Sequence, residues 1–326
     1  MNPSFSDVFQ GQKLRIGTRG SALARAQAGL FSAALQAAFP QFAEKGALEV
    51  VIIRASGDYR PGEEDTPLYG QGGKGLFTRE LEMALDEGQI DVAVHSIKDV
   101  PAFIEDRFAL TAVLPREDPR DVFVSEKADT PEALPKDSLI GTSSPRRRAQ
   151  VLIRWPHLKP VPLRGNVDTR LDKLSKGQVQ GMFLAYAGLK RLGRTEKITR
   201  FMSVEEMLPC VGQGVVGFEI LKKKEKLAEM LARLNHAETF TALRAERAML
   251  QTLNGNCDTP IAGLARIKGQ EIVLDGLVAH PEGKGLWQAR GTAPLSEAVA
   301  LGREVGQELR LQTPPGILPD EIKRSL

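Results

Sequence analysis

The chain has 326 residues, of which 42% are hydrophobic and 26% charged, and its formal net charge is +3. That length suits two or three domains of ordinary globular composition, and the mild charge excludes neither a small acidic ligand nor a neutral one while giving no signature of a nucleic-acid binder. No apolar run reaches the roughly eighteen residues that a membrane span requires, and residues 1–12 lack the basic and apolar regions of a signal peptide. Two cysteines, Cys210 and Cys257, do not make a disulfide framework, and histidines at 95, 157, 236 and 280 are too scattered for a metal cluster. A cytoplasmic protein without metal is therefore expected.

In chain order, β-rich runs at Leu14–Gly17, Leu48–Arg54, Asp91–His95, Phe108–Leu114, Val122–Val124, Leu139–Ile140, Gly181–Ala185 and Val215–Glu219 are predicted strands. Helical patterns at Ala22–Phe39, Thr78–Glu87, Pro145–Arg154 and Thr169–Lys176 lie between them. This alternation predicts α/β architecture with mainly parallel sheets, whose ligands bind at the carboxyl ends of strands beside helix N-termini. The glycine- and proline-rich stretch Ser56–Lys74, which also carries Asp58, Glu63, Glu64 and Asp65, breaks the pattern and reads as a flexible lid. From Ala237 the character changes: one strong helix to Leu253, a left-handed end at Asn254-Gly255-Asn256, strands at Ile261–Ile267, Ile272–Val278 and Leu286–Arg290, then a helix from Ser296 to Leu309. That is a small α+β unit with an antiparallel sheet.

Three strand-to-helix junctions carry arginine together with Ser, Thr or Asn: Arg15–Ser21, Thr142–Arg148 and Leu163–Arg170. In the second, Ser144 is an N-cap and Pro145 the first helical residue, so the arginines that follow sit where the helix dipole is already positive. Either this is a solvated basic face, or something anionic docks there, as free N–H groups and planar guanidinium forks allow. Recurrence at three junctions favours a ligand with several negative charges. Under that reading, replacing Arg147 by leucine is expected to remove ligand binding and leave the melting temperature unchanged.

Two matches to G-x-G-x-x-G, at Gly70/Gly72/Gly75 and Gly212/Gly214/Gly217, lack the strand-then-helix context of a dinucleotide site and read as turn glycines. Lys74 is not a Walker lysine, because no Ser or Thr follows it. The run His95-Ser96-Ile97-Lys98-Asp99-Val100-Pro101 ends an apolar strand with a carboxylate in a region rich in arginine. Asp99 is there either an acid–base or cation-stabilising group, or half of a structural ion pair; His95 reads as structural. Cys257 sits on a Gly/Asn loop before Asp258-Thr259-Pro260, whereas Cys210 reads as an apolar filler.

Together these runs resemble the porphobilinogen deaminase (hydroxymethylbilane synthase) family. The motifs are Arg15–Ala24, Gly72–Phe77, His95–Pro101, Arg116–Asp121, Thr142–Arg147, Leu163–Arg170, Ala187–Leu192, Val211–Gly214 and Cys257–Gly263, in family order. The resemblance implies a transferase that joins four porphobilinogen units head to tail with loss of ammonia and then releases hydroxymethylbilane by hydrolysis. It implies two periplasmic-binding-protein-like α/β domains with a cleft between them, at 1–114 plus about 215–234 and at 115–214, and an α+β domain at 235–326. It implies a dipyrromethane cofactor attached covalently to Cys257, held by Lys74, Thr142, Ser144, Arg146, Arg147, Arg170 and Gly188. Substrate binding falls to Arg19, Ser21, Phe77, Arg164 and Arg191, and catalysis to Asp99 with Lys98 beside it. Asn256 stands where the family usually has glycine, and Cys210 where alanine is common. The expected partner is porphobilinogen alone, with no nucleic acid and no membrane, and the chain is expected to be a monomer. The rival classes are a two-lobed polyanion-binding protein without catalysis, which needs neither Cys257 nor Asp99, and a nucleic-acid binder, which wants stacking aromatics that the basic motifs lack.

Overall fold

The computed structural model describes residues 13–58, 75–256 and 258–320. Most of the stretch read as a lid, together with Lys74 and Cys257, lies outside the described residues. The strands are β1 (Leu14–Arg19), β2 (Leu48–Ile53), β3 (Val92–Ser96), β4 (Phe108–Val113), β5 (Asp121–Val124), β6 (Leu139–Gly141), β7 (Lys159–Val161), β8 (Gly181–Ala185), β9 (Arg200–Phe201), β10 (Val216–Leu221), β11 (Ile261–Lys268), β12 (Glu271–Ala279) and β13 (Leu286–Pro294). The helices are α1 (Ala22–Ala38), α2 (Arg79–Asp86), α3 (Pro145–Arg154), α4 (Val167–Ser175), α5 (Tyr186–Arg191), α6 (Glu225–Ala232), α7 (Ala237–Thr252) and α8 (Ala298–Gln312).

The described residues divide into two compact units, the first formed by 13–58, 75–117 and 215–240, the second by 118–214, 241–256 and 258–320. The first holds a five-stranded sheet in the order β2-β1-β3-β10-β4. The β1–β2 and β1–β3 pairs are parallel, whereas β10 runs antiparallel to both its neighbours. The second unit repeats the plan as β7-β6-β8-β5-β9, with β5 the reversed strand. In each sheet the reversed strand is the one by which the chain arrives from the other unit, so its direction is set by connectivity rather than by local pattern. Apolar side chains close each sheet: Phe31 of α1 meets Phe218 of β10 with ring centroids 4.2 Å apart, and Trp155 stacks on Phe183 at 5.4 Å.

The C-terminal part of the second unit is a three-stranded antiparallel sheet, β11-β12-β13, backed by α7 and α8. Gly302 lets α8 approach the backbone of α7 at Ala245, where a Cβ would collide. The helix α7 ends at Thr252, and Asn254 takes the left-handed conformation, with φ of 49°; asparagine tolerates this because its short side chain bonds locally. Ala149 and Ile153 of α3 pack with Ala262, Leu264, Leu277 and Ala279, so the helix bearing the arginine run rests on this sheet.

Candidate functional site

Both arginine regions lie at carboxyl ends of strands, and each is built by a capped helix. In the first unit Arg19 closes β1 and Ser21 caps α1, its Oγ accepting from Ala24 N at 3.2 Å. Asp99 belongs to a short 3₁₀ turn, Ile97–Asp99, directly after β3, with half-buried Lys98 beside it. Arg19 Nη1 donates to Asp99 Oδ2 at 3.3 Å, while its Nε and Nη2 donate to Asp58 Oδ1 at 3.0 and 2.5 Å. Its guanidinium carbon lies 4.3 Å from the centre of the Phe77 ring, a cation–π contact. Asp58 is itself anchored, Oδ2 accepting from Ala55 N at 3.1 Å. One cation here serves two carboxylates, so these three side chains sum to one negative charge.

In the second unit Ser144 caps α3, accepting from Arg147 N at 3.4 Å, and Pro145 occupies the first helical position. Thr142 Oγ1 accepts from Ser144 N at 3.2 Å, and Thr142, Ser143, Ser144, Pro145 and Arg148 line a shallow hollow with Pro160 and Pro162. Arg146 and Arg147 are buried and share one carboxylate, Asp121, at the start of β5. Arg146 Nη1 donates to Asp121 Oδ2 at 2.7 Å, and Arg147 donates through Nη2 to Oδ1 at 2.7 Å and through Nε to Oδ2 at 3.3 Å. Burial alone would raise the Asp121 pKa, but the charges and hydrogen bonds of the two guanidiniums override it and hold the carboxyl far below its usual range. Two cations and one anion leave a single positive charge. Arg146 Nε is buried without a hydrogen-bond partner, so the cluster keeps one unmet donor.

This pairing corrects one expectation. The anion beside the first turn of α3 is a side chain of the protein, so Arg147 carries part of the stability of a buried ion cluster and its loss cannot leave the melting temperature unchanged. Breaking a buried pair from one side costs about 3–5 kcal/mol.

The third junction also differs by two residues from the predicted helix start. α4 begins at Val167, because Asn166 is the cap and accepts from Thr169 N at 2.8 Å. Gly165, with φ of 115°, makes the turn between Arg164 and that cap, and a Cβ there would strike Thr169. Arg164 is buried and Arg170 half-buried. Gly188 is buried within α5, and Arg191, in its last turn, donates through Nη2 to Gly214 O at 2.7 Å. His95 is bonded through Nε2 to Glu219 Oε2 at 2.9 Å, both buried, in agreement with a structural role.

Residues that carry these clusters but received no role from sequence are Asp58, Asp121 and Gln213. Asp121 opens an apolar run after Pro119-Arg120, and that position does not distinguish a surface carboxylate from a fully buried one. Gln213 Nε2 donates to Asp121 Oδ1 at 2.9 Å across 92 positions of sequence, a pairing with no local signal.

These features define an α/β protein with cation-rich strand-to-helix junctions suited to a ligand bearing several carboxylates. The family description "Porphobilinogen deaminase, dipyromethane cofactor binding domain" matches residues 14–229, and "Porphobilinogen deaminase, C-terminal domain" matches residues 240–310. The chloroplastic porphobilinogen deaminase of Pisum sativum is 46% identical over 307 residues, covering 93% of this chain and 82% of its own. That of Acidithiobacillus ferrooxidans is 45% identical over 307 residues, covering 94% of this chain and 97% of its own. The chain belongs to the porphobilinogen deaminase family. It is thus an enzyme of the transferase class with a dipyrromethane cofactor. Among solved structures, the methionine-binding protein MetQ aligns over 70% of this chain and 92% of its own, at 13% identity and a TM-score of 0.43, a likeness that carries no argument.

A dipyrromethane presents carboxylates and pyrrole N–H groups. The residues present fit such a group: Arg146 offers a buried donor without a partner, α3 presents a capped N-terminus, and the Arg146–Asp121–Arg147 cluster keeps a net positive charge.

Proposed function

We propose that this chain catalyses the hydroxymethylbilane synthase reaction (EC 2.5.1.61), condensing four porphobilinogen molecules head to tail and hydrolysing the product free. The observation that carries the assignment of roles is the opposite stoichiometry of the two ion clusters: two carboxylates, Asp58 and Asp99, on the one guanidinium of Arg19, and two guanidiniums, Arg146 and Arg147, on the one carboxylate of Asp121. In each condensation the aminomethyl C–N bond of a porphobilinogen breaks and ammonia leaves. A C–C bond forms to the free α-carbon of the acceptor pyrrole, and that carbon loses its proton. The bound cofactor supplies the covalently anchored primer on which the chain grows.

Loss of ammonia turns the incoming pyrrole into an azafulvene cation. Asp99 stabilises that charge in this reading and accepts a hydrogen bond from the pyrrole N–H, and a fixed carboxylate does this without reorganisation. The amine must be protonated before it leaves as ammonia, so Asp99 also serves in proton transfer, with Lys98 setting the local charge. Arg19 holds Asp99 in place and, with Ser21, Arg164 and Arg191, takes substrate carboxylates. Phe77 covers the Arg19 guanidinium. Thr142, Ser144, Arg146, Arg147, Arg170, Gly188 and Lys74 hold the cofactor, and Cys257 anchors it as a thioether. The reading carries with it a cytoplasmic location and a monomeric chain, the second of which sedimentation of the purified protein tests.

Intact-mass measurement is the direct test of the anchor. Wild-type protein is expected to carry a dipyrromethane adduct, and Cys257→Ser to lack both adduct and activity. An adduct mapped to Cys210, or an active serine variant, would overturn the assignment.

A further inference from the structure

The motif Val211-Gly212-Gln213-Gly214 has no part in the mechanism above, yet it is bonded in three directions within the second unit. Gly212 N donates to Oε2 of buried Glu246 at 2.7 Å, while Glu246 Oε1 accepts from Ala265 N of β11 at 2.9 Å. Gln213, 1% exposed, donates through Nε2 to Pro119 O at 2.6 Å and to Asp121 Oδ1 at 2.9 Å. Gly214 O accepts from Arg191. Asp121 therefore receives four hydrogen bonds, one from Arg146, two from Arg147 and one from Gln213, and its carboxylate plane is held from both oxygens.

We propose that Asp121, braced by Gln213, is a positioning residue for carboxylate recognition: it sets the guanidinium planes of Arg146 and Arg147, the two groups read above as holding ligand carboxylates. The inference rests on the reading that these two arginines hold ligand carboxylates. Two guanidiniums on consecutive residues repel each other and each has many rotamers. A shared carboxylate removes the repulsion, and a two-point grip on Arg147 fixes its fork. Gln213 adds the constraint that keeps Asp121 itself from turning. Recognition groups held this way by a supporting shell lose their effect when that shell loosens, even though they remain present.

Gln213→Leu is the sharpest variant, since it keeps every charge and nearly the same volume; Asp121→Asn is the second. Both are compared with wild type in the cofactor-loaded enzyme as purified. Gln213→Leu is expected to raise KM for porphobilinogen about tenfold with kcat held within about twofold, the low end of what loss of a supporting hydrogen bond costs. It is also expected to lower the fraction of molecules carrying the cofactor mass. Asp121→Asn, where it folds, is expected to do both more strongly. A purely structural role gives a lower melting temperature with wild-type KM and full cofactor mass, and that result would overturn the proposal. Arg147→Leu separates the two levels of inference. If it keeps wild-type KM and cofactor content, the carboxylate-binding reading has failed; if it loses them while Gln213→Leu does not, only the positioning role has failed.

Discussion

In the first unit one arginine, Arg19, serves two carboxylates, Asp58 and Asp99; in the second two arginines, Arg146 and Arg147, serve one, Asp121. Their surroundings differ as much as their stoichiometry. The Arg19, Asp58 and Asp99 side chains are 20%, 23% and 28% exposed, whereas those of Arg146, Arg147 and Asp121 are 4%, 7% and 0% exposed. A cluster that keeps water can rearrange when a ligand arrives, and its ion pairs add little to stability. A cluster without water is rigid, and each partner is needed by the others. The same residue types thus make an adaptable, partly exposed cluster in one unit and a preset, buried one in the other.

The largest effect that tests this contrast is on turnover. Asp99→Asn keeps shape and removes the carboxylate charge, and loss of one preorganised electrostatic group costs about 3–4 kcal/mol, so kcat is expected to fall about a hundredfold or more with the fold intact. Near-normal turnover would remove Asp99 from the chemistry.

Next comes stability, where the clusters should part. Arg147→Leu is expected to lower the melting temperature by about 6–12 °C, from about 3 kcal/mol at 2–4 °C per kcal/mol for a unit of this size. Arg19→Leu leaves its two carboxylates in reach of water, and a shift of no more than about 1 kcal/mol is expected. Thermal unfolding of the two variants side by side decides the matter; equal losses would mean that burial does not distinguish the clusters.

The smallest effect is a difference in the sign of pH dependence between two carboxylates. The folded pKa of Asp121 is depressed, so its stabilisation is complete above its unfolded value of about 4 and is lost as the pH falls towards the folded one. Glu82 of α2 is the opposite case: burial first, and then the neighbouring charge of Glu219, raise its pKa. Its contribution is therefore fully present below an unfolded value of about 4.3 and is lost as the pH rises through the folded one. Glu82→Gln is expected to raise the melting temperature slightly at neutral pH and to do nothing near pH 3. A gain at acid pH instead would reverse the sign of that assignment.

Local chemistry sets much of this protein by itself. Ser144-Pro145 starts α3 because a hydroxyl cap and a residue without N–H suit those positions, and the helix runs Pro145–Arg154 as its pattern predicts. Strand β8 likewise coincides with the apolar run Gly181–Ala185. The short elements β9 and α6 carry too few periodic residues to stand out, and the start of α4 shifted because Asn166, not the proposed first turn, supplies the cap. The arginine junctions were visible because a cation run beside a helix N-terminus contradicts the helix dipole, and such a contradiction needs a partner. Which partner it is was settled only by the tertiary structure. Asp121 reaches α3 by lying on the strand that arrives from the other unit and runs against its neighbours, and Gln213 meets it after ninety-two intervening steps of chain. Strand direction and distant pairing leave no periodic trace in sequence, since they depend on connectivity and on the desolvation that close packing creates. An arginine run in solution and an arginine pair locked on a buried carboxylate are written in the same letters; burial alone decides between them.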